Sequence, residues 1–246
     1  MTITRNPRID LAGTYNLRST AGYLTGHGPV RPGRLLRSDA LHRLQPGGAH
    51  VLGSAGVASV IDLRDDTEVA DAPSLVPPTT ARTVHHPLLP TGGVPDGEAG
   101  PATLREVYRT IVIDRVDALV GAVRHIAEAP AGGVLVNCTA GKDRTGVVIA
   151  VTLSAVGVDR DQVIADYSRS EENLRGEWET TMLDTWRDAD GNVPDALREM
   201  VAASPPELMA ETLDLIGELY GGSEQMLRSG GFTDDTLGRL RSRLTD

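Results

Sequence analysis

The chain has 246 residues, a formal net charge of −10 and 40% hydrophobic residues, the profile of an ordinary globular protein, and one domain over residues 1–246 is expected. No run of about 18 apolar residues occurs, and the first ten residues carry Arg5, Arg8 and Asp10 with no apolar run behind them. Neither a membrane span nor a secretory signal is therefore expected, and a cytoplasmic location is. The acidic balance and 3% aromatic content argue against nucleic acid as a partner, which calls for basic patches and stacking rings.

In chain order, the N-terminal part, with Gly13, Gly22, Gly26, Gly28 and Gly33 and with Pro29 and Pro32, reads as irregular or hairpin-like. Val57 to Leu63 is a buried strand, bounded by Gly56 and by Arg64-Asp65-Asp66. Asp66 or Thr67 is expected to cap a short helical turn that Pro73 ends, and Ala81 to Leu89 is a weaker strand. Residues 90–101 form a turn-rich loop of the length at which loops are usually functional, and this is the expected lid. From Ala102 to Glu128 apolar residues recur at helical spacing.

Val134-Leu135-Val136 is a strand that runs into Asn137-Cys138-Thr139-Ala140-Gly141-Lys142-Asp143-Arg144-Thr145-Gly146, and an all-round apolar helix follows to about Val156. Downstream, helices are expected over 159–174, 194–203, 206–219 and 234–244. The resulting fold class is α/β, with a central, mostly parallel sheet flanked by helices and a helical C-terminal half.

The loop after this strand carries the chemistry. Cys138 is the only cysteine, and Lys142, four residues later, is the only lysine among 24 basic residues. A single cysteine excludes an internal disulfide and a multi-cysteine metal site, and histidines 27, 42, 50, 85, 86 and 125 show no ligand spacing, so no metal is expected. Backbone N–H groups of residues 139–144 can curl around a tetrahedral dianion, aided by the positive end of the following helix. The same kind of field lowers a thiol pKa from about 8.5 into the range of roughly 3.5–7.5, which makes Cys138 the expected nucleophile.

Arg144, six residues on, can grip two phosphoryl oxygens with its planar fork, which a lysine cannot do. Thr145 offers a hydroxyl to stabilise the departing thiolate, and Lys142 a charge to attract anionic groups of the substrate. A nucleotide-binding Walker loop is excluded, because Val136 and Asp143 stand where it needs Gly and Ser or Thr.

Cys138-Thr139-Ala140-Gly141-Lys142-Asp143-Arg144-Thr145-Gly146 resembles the signature loop of cysteine-dependent protein tyrosine phosphatases, in the bacterial branch that acts on phosphotyrosine and, in some members, phosphoinositides. Asn16-Leu17-Arg18, the segment Gly33 to Leu41 containing Arg37-Ser38-Asp39, and Val60 to Arg64 are similar to that branch's upstream segments. Tyr220 to Ser223 and Gly231 to Asp235 are similar to its C-terminal pattern. Two departures stand out: Asn137 replaces a histidine before the cysteine, and Ser19 an aspartate.

The resemblance implies a phosphatase-like fold and hydrolysis of a phosphomonoester through a phosphocysteine, without cofactor. It implies Thr139, Ala140, Gly141, Lys142 and Thr145 at the phosphate and Asp143 as the general acid, with Asp96 in the lid and Asp62 at the strand end as other carboxyl groups for that role. The substrate it favours is a phosphotyrosine protein, the alternatives being a phosphoinositide or a small phosphorylated metabolite. A non-catalytic phosphate-binding module, with the Asn137 departure as its mark, is the competing reading from another class.

Overall fold

The computed structural model of the protein describes residues 8–90, 96–97, 100–101, 103–184, 187, 191–193 and 195–246. The chain opens with three two-residue strands, β1 (Arg18–Ser19), β2 (Leu24–Thr25) and β3 (Gly28–Pro29), and β2 and β3 pair as the expected hairpin. Next come β4 (Leu35–Ser38), α1 (Gly48–Ser54), β5 (Val57–Asp62), α2 (Asp66–Asp71) and β6 (Arg82–His85). A small ladder of β7 (Asp96–Gly97) with β8 (Gly100–Pro101) precedes α3 (Leu104–Ile113), α4 (Val116–Glu128) and β9 (Gly133–Asn137).

The rest is helical: α5 (Asp143–Ala155), α6 (Arg160–Leu174), α7 (Glu177–Asp184), α8 (Asp195–Ala202), α9 (Pro206–Tyr220), α10 (Ser223–Ser229) and α11 (Asp234–Thr245). Among the described residues, no helix is long and apolar enough to cross a membrane.

The main sheet has the order β1-β4-β9-β5-β6, parallel throughout except for the antiparallel edge strand β1. β9 lies at its centre and every residue of it is buried, as expected for a parallel strand covered on both faces. The strands alternate between two cores. Leu35, Ile61, Val134 and Val136 point into the larger one, built with α3 to α6 and α9 to α11, while Leu36, Val60 and Leu135 join Leu11, Leu17 and Leu52 on the opposite face. The register sets Asn137 beside Ser38 and Asp62, and Asp62 beside His85. The carboxyl ends of four parallel strands thus finish level, where open α/β sheets carry their ligand sites.

Several local expectations need correction. The helical pattern of 102–128 is two helices, because the β-branched run Thr110-Ile111-Val112-Ile113 is a weak helix former. There the amides of Asp114 and Arg115 both turn back onto Thr110 O. The cap of α2 is Asp65, one residue before the expected pair, in a reciprocal capping box with Glu68. The strand expected over 81–89 is confined to β6, and α1, α7 and α10 are helices that the apolar pattern did not single out. Most of the expected lid lies outside the described residues, with only Pro90 and the β7 and β8 backbone inside them.

Candidate active site

β9 delivers Cys138 at its carboxyl end, and five residues later the chain enters α5 at Asp143, a helix buried on all sides. Cys138 is 2% exposed and lies at the floor of a cavity of about 230 Å³. Thr139, Ala140, Asp143, Arg144 and Glu68 line the same cavity, with Leu89, Leu104, Val107, Trp178, Met182, Met200 and Val201 around them. A larger cleft of about 710 Å³ lies beyond the other end of the sheet, around Arg34, Gly132 and Arg243, with Ser242 but neither cysteine nor histidine in its lining. The smaller one is the candidate site.

The loop is pressed onto the end of β4. Gly141 has φ +64°, and a Cβ there would stand 2.2 Å from Ser38 O, so only glycine meets both the backbone angle and the space. Thr139 O accepts from Ala40 N at 3.0 Å, and Ala140 packs against Leu174 and Trp178.

Arg144 is almost wholly buried and meets a partner that the sequence reading missed. Both its terminal nitrogens donate to the two Glu68 carboxylate oxygens, Nη2 to Oε1 at 2.7 Å, and Nη2 also reaches Thr139 Oγ1 at 3.3 Å. Thr139 donates its own hydroxyl to Glu68 Oε1. Burial raises the Glu68 pKa, but the hydrogen bonds and charge of Arg144, helped by Thr139 and Asp65 N, outweigh it and hold the group at about 2. Burial likewise works against the charge on Arg144, and Glu68, Cys138 and Asp143 together raise its pKa. With both terminal nitrogens on Glu68, the Nε edge of the fork remains for phosphoryl oxygens. The readable signal for Glu68 was the D-x-x-E spacing of Asp65 and Glu68, a capping box whose acid also faces the loop.

Asp143, the first residue of α5, lines the cavity and is about a quarter exposed. Tyr108 of α3 donates its hydroxyl to Asp143 Oδ1 at 3.0 Å, and the Tyr108 and Tyr167 hydroxyls are 2.9 Å apart. Burial, then the charge of Asp143, raises the Tyr108 pKa well above the usual phenol value, so it stays a donor. Thr145 is fully buried and its hydroxyl has no hydrogen-bond partner among the described residues. Asn137 is buried as well, and its Oδ1 has no hydrogen-bond partner among the described residues.

Two sequence expectations do not hold geometrically. Lys142 turns away from the cavity: its buried ammonium donates to Met200 O at 2.7 Å and Ala203 O at 2.8 Å, at the carboxyl end of α8, and stands 3.6 Å from Asp143. It neutralises helix-end carbonyls rather than a substrate, so only its main chain serves the loop. Asp62 is buried outside the cavity lining, bound by Arg64 through Nε at 2.9 Å and Nη2 at 2.7 Å. Arg64 also donates to Ala72 O at 2.7 Å, so this pair ties the end of β5 to the end of α2, the helix that presents Glu68. The Asp96 side chain lies outside the described residues.

Residues 9–246 match the family model described as the tyrosine phosphatase family. The chain is 31% identical to the triple specificity protein phosphatase PtpB of Mycobacterium tuberculosis, over 96% of this chain and 98% of that one. It is 25% identical to a tyrosine-protein phosphatase of Nostoc commune, over 85% of this chain and 73% of the other. A solved structure, P. aeruginosa TpbA in complex with pTyr, is 19% identical over 66% of this chain and 84% of its own, with a TM-score of 0.32. A cysteine-bearing loop at the centre of a parallel sheet and a family match over nearly the whole chain agree, and the protein belongs to the tyrosine phosphatase family.

Proposed function

We propose that this cysteine-dependent phosphatase hydrolyses phosphotyrosine through Cys138, acting as one domain in the cytoplasm, where a single unpaired thiol stays reduced. The Cys138 thiolate attacks phosphorus, the loop amides and the Nε edge of Arg144 hold the equatorial oxygens, and the bond to the tyrosine oxygen breaks. Asp143 gives its proton to that departing oxygen. Its carboxylate then takes a proton from water as the water attacks the phosphocysteine, and the released thiolate accepts a hydrogen bond from Thr145. The spare hydroxyl of Thr145 and the cavity position of Asp143 support these roles.

The observation that carries the substrate assignment is the composition of the cavity wall. Seven apolar or aromatic side chains surround the loop, and Arg144 is the one cation among the described lining residues. Residues 90–103, the stretch of sequence between Leu89 and Leu104, contain no lysine or arginine. One phosphate on an apolar ring suits such a wall, whereas a headgroup with several phosphates would set its extra charges beside Glu68 and Asp143, in a chain of net charge −10.

The test is phosphate release from phosphotyrosine peptides, mono- and polyphosphorylated phosphoinositides and small phosphate esters, for the native protein and for Cys138→Ser. We expect kcat/KM for phosphotyrosine to exceed that for polyphosphorylated inositides by at least about tenfold, equivalent to about 1.4 kcal/mol. The serine variant should still bind vanadate but release nothing. Preferential turnover of polyphosphorylated lipids would overturn the substrate assignment, and turnover by the serine variant would overturn the nucleophile.

A further inference from the structure

Two upstream segments, Asn16-Leu17-Arg18 and Arg37-Ser38-Asp39, have no part in the reaction as described, yet both end underneath the loop. Asn16 Nδ2 donates to Ala140 O at 3.0 Å and to Gly141 O at 3.1 Å. Arg37 Nη2 donates to Gly141 O at 2.7 Å and to Lys142 O at 3.3 Å. Both side chains are fully buried. A planar trans peptide directs its C=O and N–H to opposite sides. Carbonyls fastened at the rear therefore turn the N–H groups of Gly141, Lys142 and Asp143 toward the front of the loop, where an oxyanion sits.

We propose that Asn16 and Arg37 are positioning residues for phosphoryl transfer, which fix and polarise the loop amides from their carbonyl side. The proposal rests on the phosphatase reading above. A cationic donor on a carbonyl strengthens the N–H of the same peptide as a donor, because hydrogen bonds in a chain polarise one another.

Arg37 belongs to a buried charge cluster beneath the loop. Arg37 and Arg18 share one buried carboxylate, Asp166, with Arg37 Nη1 at 2.6 Å from Oδ2 and Arg18 Nε at 3.6 Å from Oδ1. Two guanidiniums stand against this one carboxylate, and the buried acid Asp39, on the other side of Asn16, completes the cluster. Burial, then the like charge of Arg37, lowers the Arg18 pKa to about 9, a penalty that an anion in the loop relieves. Asn16 is itself held in place: its amide donates to Asp39 Oδ1 at 2.8 Å, and its side-chain oxygen accepts from Arg18 and from Asn173.

The experiment uses the full chain with Asn16→Ala, Arg37→Gln and Arg37→Lys. Three quantities are read: inhibition by inorganic phosphate and vanadate, the pH profile of Cys138 alkylation by iodoacetamide, and kcat and KM for an aryl phosphate. Asn16→Ala and Arg37→Gln should each weaken oxyanion binding about tenfold. Each should also move the alkylation midpoint to higher pH, and Arg37→Lys should recover part of both losses. Variants that melt close to the native protein yet keep native anion affinity and alkylation profile overturn the proposal. So does failure of both Asn16→Ala and Arg37→Gln to fold, which would leave the two residues a purely structural role. If only Arg37→Gln fails, Asn16→Ala decides, since it removes a neutral side chain. Anion binding and alkylation need no turnover, so a native protein that binds phosphate but hydrolyses no ester would overturn the phosphatase reading and not this one.

Discussion

Glu68 and Arg144 meet in a two-point ion pair at the cavity, 76 residues apart in the chain, with Nη2 to Oε1 at 2.7 Å. The carboxylate comes from the first turn of α2, which its own capping box with Asp65 holds in place. It aims the guanidinium across the loop and keeps Thr139 beside it, before any substrate enters. Free Arg side chains lose about 2 kcal/mol of rotamer freedom when ordered, and here that loss precedes binding.

This pair sets an acid limit on stability. The folded-state pKa of Glu68, about 2, lies below its ordinary value of 4.5, so the unfolded chain takes up the proton first as pH falls. The pair's contribution is therefore complete above about pH 4.5 and is lost between there and about pH 2. Glu68→Gln should show a smaller fall in melting temperature between pH 6 and pH 3 than the native protein. It should also raise KM for an aryl phosphate several-fold at neutral pH. Equal melting falls in the two proteins would sink this account.

Asp143 and Tyr108 should respond to the leaving group. Protonation of the departing oxygen matters most for poor leaving groups, and general acid catalysis is worth about 10²–10⁴-fold. Asp143→Asn should lower kcat for phenyl phosphate by about that factor, and much less for an ester with a strongly acidic phenol. Tyr108→Phe, which removes the 3.0 Å anchor, should show the same pattern at several-fold size. A leaving-group dependence identical to the native one would move the acid elsewhere, with Asp96 next in line.

Gly141→Ala tests the seat of the loop. The added Cβ would stand 2.2 Å from Ser38 O at a residue with φ +64°, so both backbone strain and a clash with main chain result. A loss of about 2–4 kcal/mol is expected, or about 4–16 °C in Tm for a protein of this size. Activity should fall even below the new Tm. A melting temperature within a degree of the native value would mean that the loop can lift off β4 at little cost.

Lys142 separates an electrostatic role toward substrate from a structural one. Lys142→Met should lower Tm by a few degrees, because Met200 O and Ala203 O lose their donor. KM should change far less than in Arg144→Lys. A KM increase matching that of Arg144→Lys would return Lys142 to the phosphate.

The α/β architecture, and the placing of the candidate nucleophile Cys138 and of Arg144 at one cavity, were legible in the chain because each rests on local information. Cys138 and Arg144 are six residues apart on one turn of loop, and the run from Val147 to Leu153, apolar but for Thr152, reads as a buried element. What lay outside that reach is what depends on distant segments. Glu68 was visible only as a cap, since nothing in its own neighbourhood shows that α2 abuts the loop. Lys142 looked like a ligand of anions because its position in the motif fixes its backbone but not its rotamer. The carbonyls of α8, nearly sixty residues away, decide where the ammonium goes. Asn16 and Arg37 were recognisable as segments without a stated task. The sequence by itself determined which atoms can react, through motif spacing and hydrophobic period. Tertiary structure alone decided how those atoms are aimed and charged, because burial and long-range hydrogen bonds arise only when β4, β9, α2 and α6 are packed together.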